Sequence, residues 1–233
     1  MNETQWREVL GKIVRAGLVS PEFERFFSVR LNPDRAKISL TQLGLYIKHR
    51  RDCWAWLSGN CPEMSVKKKI LAHEYDEMVQ DQYSQFGHLE LVIRQGKNLG
   101  MSAEEVLKVK PLPTTRATLY SWGWITRERP WLEGLAALMA TEWGNDDRLF
   151  ADLGGGVSRR EAVRWMEDLG LKWKDIPNLA AHAEADEKHG DMFLPVLAEF
   201  GGGSEEKILD AARESMELYG LFRFGVALAM EAV

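Results

Sequence analysis

Apolar residues recur along most of the chain at intervals of three and four, which is the period of an amphipathic α-helix. The longest clear stripe of this kind runs through Leu43, Tyr46, Ile47, Trp54 and Leu57. We find no convincing run of alternating β-branched residues that would predict strands. The pattern therefore predicts an all-α fold.

Capping residues and prolines mark where these helices begin. Asn2 or Thr4 is placed to cap the first helix, and Ser102 with Glu105 has the spacing of a capping box, as does Ser158 with Glu161. The predicted helices span about 4–17, 21–27, 39–57, 65–96, 103–110, 114–124, 130–145, 158 onwards, 177–200 with a kink at Pro195, and 204–230.

Three glycines at 154–156 and three at 201–203 separate neighbouring helices. Each triplet is too short for a free linker and has the length of a turn between helices. Because no repeat, low-complexity tract or long linker divides the chain, we predict one domain over residues 1–233 with seven to nine helices.

Composition and charge favour a globular protein without nucleic-acid or membrane partners. The chain is 45% hydrophobic, has a net charge of −5 and contains no tract rich in Lys and Arg. It has neither the apolar core of a secretory signal nor the roughly 18 consecutive apolar residues of a membrane span. Its two cysteines, Cys53 and Cys61, are interpreted as reduced thiols. We therefore expect a cytoplasmic protein.

Polar residues interrupt the apolar stripe of the helix predicted at 177–200. His182, Asp186 and His189 are spaced i, i+4 and i+7, so they share one face of that helix. Leu179, three residues before His182, and Phe193, four residues after His189, lie on the same stripe. Two imidazoles and a carboxylate thus occupy positions that would otherwise belong to the core.

Two more predicted helices show the same interruption. Asp81 and His88 lie seven residues apart on one stripe of the helix at 65–96, and Glu142 follows a leucine-rich stripe in the helix at 130–145. Glu74, Asp76 and Glu77 make the middle of the first of these helices acidic, so Glu74 or Glu77 is an alternative to Asp81 as its ligand carboxylate.

Buried carboxylates and imidazoles from three helices indicate a metal. Even a paired buried ion loses roughly several kcal/mol of solvation, and a divalent metal supplies the compensating charge. Helical bundles that project Glu, Asp and His inward bind two metals in this way, and mixed nitrogen and oxygen ligands suit iron or manganese. His49 and His73 remain outside this set and are interpreted as surface or supporting residues.

The order of these residues resembles the haem-oxygenase-like di-iron oxidases and oxygenases: a carboxylate, His seven positions later, Glu, and then His-x-x-x-Asp-x-x-His. The resemblance covers about residues 20–230. It implies a haem-oxygenase-like bundle of about seven core helices, two Fe2+ ions, dioxygen as co-substrate and frequently a homodimer. The implied metal ligands are Asp81, His88, Glu142, His182, Asp186 and His189.

The resemblance also implies an activity on small metabolites. Members of this family catalyse N-oxygenation or oxidative C–C or C–N bond cleavage in natural-product biosynthesis, and we expect an amino-acid-derived substrate. The family's first carboxylate is usually Glu, whereas Asp81 is one methylene shorter. Phe27 and Asp152 replace the Tyr and Lys that the similar chlamydial aminobenzoate synthase uses to build its product.

Two other classes of protein remain open. The first is a metal-free enzyme, similar to the TenA-type thiaminases or the pyrroloquinoline quinone synthases, that binds an organic substrate in the same pocket. The second is a helical interaction protein, which would expose a large apolar stripe. A haem-binding enzyme is less favoured, because no His precedes His49 to serve as an axial ligand near the N-terminal helices.

Overall fold

The computed structural model describes residues 1–81 and 84–233. In the helix Pro177–Asp191 it describes the backbone throughout, and it describes the side chains of residues 177–183 and 191. The regular elements of these residues are all helical, which confirms the predicted all-α class. Within the same ranges, no helix has both the length and the apolarity that crossing a membrane requires.

The α-helices in chain order are α1 (Glu3–Leu18), α2 (Pro21–Ser28), α3 (Pro33–Asn60), α4 (Met64–Met78), α5 (His88–Asn98), α6 (Ala103–Leu107), α7 (Pro113–Glu128), α8 (Trp131–Trp143), α9 (Val157–Leu169), α10 (Pro177–Asp191), α11 (Leu194–Phe200) and α12 (Glu205–Glu231). Short 3-10 turns lie at Asp147–Leu149, Ala151–Leu153 and Trp173–Asp175.

The long helix α12 lies at the centre of the packing and contacts α1, α2, α3, α7 and α8. A buried hydrogen-bond chain joins three of these helices. The indole Nε1–H of Trp122 on α7 donates to Ser215 Oγ on α12 at 2.9 Å, and that hydroxyl donates to the Ala137 carbonyl of α8 at 2.6 Å. The apolar core therefore also contains a specific polar contact that fixes α12 against α7 and α8.

Several predicted helix ends are confirmed. The Asn2 side chain accepts a hydrogen bond from the Gln5 backbone N–H at 2.9 Å, and the Ser102–Glu105 capping box is present. The predicted cap at Ser158 is wrong, because α9 begins one residue earlier and its N-cap is Gly156. The Ser158 hydroxyl donates instead to Asn145 Oδ1 at 2.8 Å.

The single helix predicted at 65–96 is wrong, since the chain forms α4 and then α5 with a turn between them. The turn brings Gly87 against the end of α4, and a Cβ atom on Gly87 would lie 2.2 Å from the Met78 carbonyl oxygen. Only glycine allows the backbone at position 87 to lie this close to the Met78 carbonyl without a shift. Asp81 Oδ1 also accepts a 2.6 Å hydrogen bond from the Ser84 backbone N–H, a local bond that competes with the helix.

The prolines and caps also define boundaries that differ from the prediction. Pro195 does not kink a continuous helix, because α10 ends at Asp191 and Pro195 lies in the first turn of α11, where its missing N–H has no cost. The helix predicted at 39–57 begins earlier, with Asn32 as its N-cap, and ends later, at Asn60.

Replacing Ser215 with Ala tests the contact between α7, α8 and α12. The Trp122 N–H would stay buried without its acceptor, so we expect the free energy of unfolding to fall by about 1–3 kcal/mol. Urea unfolding measures this change. Ser121→Ala, which removes a 3.1 Å hydroxyl bond to the Ala117 carbonyl outside the core, should cost within about 0.5 kcal/mol. Equal costs for the two variants would contradict the assigned role.

Candidate metal centre

Four helices bring carboxylates and imidazoles together in the interior. Glu77 on α4, His88 on α5 and His182 on α10 form one group in which the potential ligand atoms all lie within 4.8 Å of one another. His73 and Glu77 of α4 form a second such group with Glu142 of α8. Glu77 is common to both groups, so one carboxylate lies between two clusters of ligand atoms.

Helix α4 contributes three of these buried polar residues from a single face. His73 is fully buried, and Glu74 and Glu77 are 7% and 3% exposed. The His73 Nδ1 atom lies 3.1 Å from Glu74 Oε1. Glu74 therefore orients the imidazole of its neighbour, as outer carboxylates commonly do for histidines that bind metals.

His88 is the first residue of α5 and lies between two carboxylates. Its Nδ1 is 3.0 Å from Glu77 Oε2, and its Nε2 is 3.5 Å from Asp81 Oδ2. Its ring centroid lies 4.2 Å from that of His182. The turn after α4 thus returns the chain so that His88 reaches the same point as Glu77.

His182 is held in the form that binds metals. Its Nδ1 lies 2.9 Å from the carbonyl oxygen of Asn178, one helical turn earlier, so Nδ1 carries the proton and donates it to that oxygen. The lone pair is then on Nε2. Burial, reinforced by the neighbouring His88, lowers the pKa of His182 to about 4, so the imidazole is neutral at physiological pH.

Two consecutive arginines of α3 bind the carboxylates of the centre. Arg50 Nη2 donates to Glu142 Oε1 at 2.6 Å and to the Leu138 carbonyl at 2.9 Å. Arg51 Nη1 lies 2.9 Å from Glu74 Oε1 and 3.0 Å from Glu77 Oε2. Both guanidinium groups therefore lie inside the bundle.

Neither arginine was among the predicted site residues, although the sequence contains a signal for one of them. Arg50 lies three residues after Ile47 and four before Trp54, on the same stripe that predicted helix α3. It is only 2% exposed. A cation on a core stripe indicates a buried anion to pair with, by the same reasoning that selected Glu142.

Glu142 is ionised despite its burial. Burial by itself would raise the pKa of this carboxyl, but the adjacent Arg50 guanidinium outweighs that effect and holds the pKa at about 2. The Arg50–Glu142 pair is therefore a true ion pair, with side chains that are 3% and 11% exposed.

The described ligand atoms are a mixture of carboxylate oxygens and imidazole nitrogens in the interior of the bundle. Glu77, His88 and His182 supply one group of them, and His73, Glu77 and Glu142 supply the other. Mixed oxygen and nitrogen donors of this kind suit iron. The donor set therefore fits the metal that the sequence analysis predicted.

The predicted ligands have different positions in this arrangement. The described geometry brings His88, His182 and Glu142 into the two groups. Asp81 lies beside His88 but in neither group, and the alternative Glu77 lies in both. The predicted ligands Asp186 and His189 have side chains outside the described residues.

The two remaining candidates can also be placed. Glu74, the other alternative to Asp81, lies in neither group and binds Arg51 and His73. His73 was expected to be a surface or supporting residue. The surface interpretation is wrong, because the side chain is fully buried.

Aromatic side chains exclude solvent from one side of the centre. The Trp54 ring lies 4.6 Å from that of His73 and stacks on Phe193 at 5.1 Å, between ring centroids. Both aromatic side chains are essentially buried. A low-dielectric wall of this kind strengthens the electrostatic interactions among the charged groups beside it.

Solved structures share this fold at low sequence identity. A domain of unknown function with a haem-oxygenase-like fold from Shewanella denitrificans OS217 superposes with a TM-score of 0.76 at 16% identity, covering 99% of this chain and 94% of that one. A CADD-like protein of unknown function from Nostoc punctiforme PCC 73102 gives 0.74 at 12% identity, with 97% of both chains covered. The predicted haem-oxygenase-like fold is confirmed.

A TenA homologue from P. horikoshii OT3 also shares the fold, with a TM-score of 0.71 at 14% identity over 99% of this chain and 100% of that one. Comparison with curated protein sequences gave no match. A family model described as iron-containing redox enzyme matches residues 39–220. The chain therefore belongs to this family of iron-containing redox enzymes, and the matched region includes the candidate metal centre.

Replacing Arg50 with Met tests whether the ion pairs of α3 support the centre. The variant leaves the Glu142 carboxylate buried without its guanidinium, so we expect the metal-free protein to lose about 3–5 kcal/mol of unfolding free energy. Chemical unfolding measures the loss. The additional change Glu142→Leu should restore most of it, because the unpaired charge is then removed.

The matched control is Arg15→Met, which breaks the exposed ion pair of Arg15 with Asp152. We expect this variant to cost about 1 kcal/mol or less. A similar loss for the two arginines, or no recovery in the double variant, would show that the buried pair has no special role.

Proposed function

We propose that the protein is a non-haem di-iron oxidase or oxygenase that uses dioxygen to oxidise a small, amino-acid-derived metabolite. The observation that supports this proposal best is the position of Glu77, whose carboxylate belongs to both groups of potential ligand atoms. A carboxylate shared by two clusters of imidazole and carboxylate donors is the arrangement from which helical bundles build two-metal sites.

In this proposal each iron has its own ligands as well as the shared one. Glu77, His88 and His182 would bind one ion, and His73, Glu77 and Glu142 the other. Asp186 and His189, four and seven residues beyond His182, remain predicted ligands on the same helix. When bound, the iron would supply the electrons and the open coordination positions needed to activate dioxygen.

The protein's own groups prepare the site for this chemistry. Asn178 holds His182 with its Nε2 lone pair available, and burial keeps the imidazole neutral. Arg50 and Arg51 fix the orientation of carboxylates that would otherwise repel one another. Trp54 and Phe193 restrict access of water to the side of His73. The protein thus contributes orientation, charge and a dry environment.

The type of reaction and the substrate class are part of the same proposal. The resemblance to the di-iron oxidases and oxygenases supports N-oxygenation or oxidative C–C or C–N bond cleavage, as in natural-product biosynthesis. Membership of an iron-containing redox family agrees with an oxidation.

A metal-free enzyme is the second candidate. The specific observation in its favour is that Arg50 and Arg51 already compensate part of the buried negative charge. The polar interior would then bind an organic substrate directly, on the fold that the chain shares with the TenA homologue. Activity that persists after removal of metal by a chelator would favour this candidate.

The principal test is an anaerobic Fe(II) titration of the metal-free protein with analysis of bound iron. We expect two irons per chain in the wild type, and weaker binding of both in Glu77→Gln, because the neutral amide is a poorer ligand for either ion. Loss of an outer partner alone weakens metal sites about 10–100-fold, so the loss of a shared ligand should reach at least about tenfold. Stopped-flow absorption after addition of oxygen then reports on its activation.

Glu133→Gln is the matched control, since Glu133 is a buried carboxylate that pairs with Arg129 and lies in neither ligand group. It should bind iron as the wild type does. A wild type that binds no iron, or a Glu77→Gln variant with unchanged affinity for both ions, would be incompatible with the proposed centre. Retained affinity for one ion only would show that Glu77 is not shared.

A further inference from the structure

A second polar site lies away from the candidate metal centre, between the end of α2 and helix α9. It is a cavity of about 430 Å³ whose lining includes Arg30, Arg160 and Arg164 together with Phe27 and Val163. None of its lining residues belongs to the two groups of metal-ligand atoms. A cavity of this size is large enough for a small metabolite.

Arg164 brings a buried positive charge to this cavity. Its side chain is only 9% exposed. One terminal nitrogen donates to the carbonyl oxygens of Phe26 and Val29 at the end of α2. The other N–H donors, on Nε and Nη2, are buried and have no hydrogen-bond acceptor among the described residues. The nearest carboxylate oxygen, Glu161 Oε1, is 3.7 Å from Nη2.

Glu161 cannot neutralise Arg164 alone, because it is shared with another buried arginine. Arg223 Nη1 lies 2.9 Å from Glu161 Oε2, and both side chains are 2% exposed. Two buried guanidinium groups thus face one buried carboxylate. An arginine in a protein does not lose its proton, so the excess positive charge remains.

The acidic residues that line the cavity do not remove this excess. Asp168 accepts a 2.7 Å hydrogen bond from the Leu31 backbone N–H and lies 3.5 Å from Nε of the exposed Arg30. It also attracts Arg164 but forms no close ion pair with it in the described part of the chain, and Arg160, Arg164 and Arg223 together still outnumber Glu161 and Asp168. Glu167 is exposed to solvent, where its charge is screened.

Arg160 adds a second cation one helical turn before Arg164, on the same face of α9. Its guanidinium lies over the Phe27 ring at 3.8 Å. Its Nη1 is buried without a hydrogen-bond acceptor, and no carboxylate of the described residues forms an ion pair with it. Burial lowers the pKa of this guanidinium and lowers that of Arg164 to about 10, and Glu161 and Asp168 offset only part of the effect on Arg164.

We propose that Arg160 and Arg164 form a binding site for a small-molecule oxyanion, the phosphate or carboxylate group of a metabolite held in the cavity between α2 and α9. Both arginine side chains line one volume, and the planar guanidinium group is the side chain best suited to binding such oxyanions. The aromatic ring of Phe27 fixes the position of Arg160, and the remaining volume accommodates the rest of the ligand.

The test uses the full-length protein with inorganic phosphate and, separately, acetate as probes, each compared with sodium chloride at equal ionic strength. A bound anion stabilises the folded state, so the thermal midpoint should rise with probe concentration beyond the effect of chloride. Titration calorimetry then gives the affinity and the number of sites. A stronger response to phosphate or to acetate identifies which of the two groups the site recognises.

Arg160→Gln is the informative variant, because the Arg160 side chain makes no hydrogen bond to the described protein whose loss would unfold it. We expect the affinity for the preferred probe to fall about tenfold, the usual effect of losing a charged hydrogen bond. Arg116→Gln makes the same charge change at an exposed position on α7 outside the cavity and should leave the affinity unchanged. The variants are compared at equal iron content, so anion binding to a metal does not contribute.

Val163→Glu tests the same site by adding a negative charge to it instead of removing a positive one. Val163 lines the cavity three residues after Arg160, so a glutamate there adds a carboxylate to the cavity that Arg160 and Arg164 line. We expect this variant to be more thermally stable than the wild type without added anion and to lose its response to the probe. The proposal would be overturned if phosphate and acetate raised the thermal midpoint of the wild type no more than chloride does, or if they raised that of Arg160→Gln equally. It would also be overturned if Val163→Glu were less stable than the wild type and still responded to the probe.

Discussion

Ion pairs between adjacent arginines of α3 and the buried carboxylates determine how the candidate metal centre is built. Arg50 holds Glu142 of α8, and Arg51 holds Glu74 and Glu77 of α4. Removing such charges from water is costly, and only close, well-oriented partners offset that cost. The pair of Arg50 with Glu142 also connects α3 to α8, which is distant in the sequence, so the electrostatics of the site and the packing of the bundle depend on each other.

A neutral imidazole distinguishes this interior from an ordinary buried salt bridge. Beside the carboxylates that Arg50 and Arg51 bind, His182 is uncharged and keeps a lone pair on Nε2. Ion pairs between arginines and carboxylates do not need such a group beside them. The membership of an iron-containing redox family and the shared position of Glu77 support the same interpretation, a centre prepared for cations.

The turn after α4 shows where reasoning from periodicity fails. A continuous helix would place Asp81 and His88 on one face, which made that pair the predicted ligands. The chain instead turns before Gly87, and the faces of α4 and α5 are no longer related by one helical period. As a result, Glu77 lies 3.0 Å from His88 Nδ1. Helical periodicity describes residues within one element, whereas the alignment of two elements depends on the turn that joins them.

The sequence alone determined the helical class, most helix starts and the interrupted stripes that carry Glu142 and His182, because these features depend on local spacing and capping. Tertiary structure decided which groups meet. It brought Arg51 and His73 into the interior, and it placed Glu77 in both ligand groups. Contacts between distant helices depend on how the whole surfaces of those helices pack together. The spacing of residues within one helix therefore cannot predict which residue of another helix it will pair with across the core.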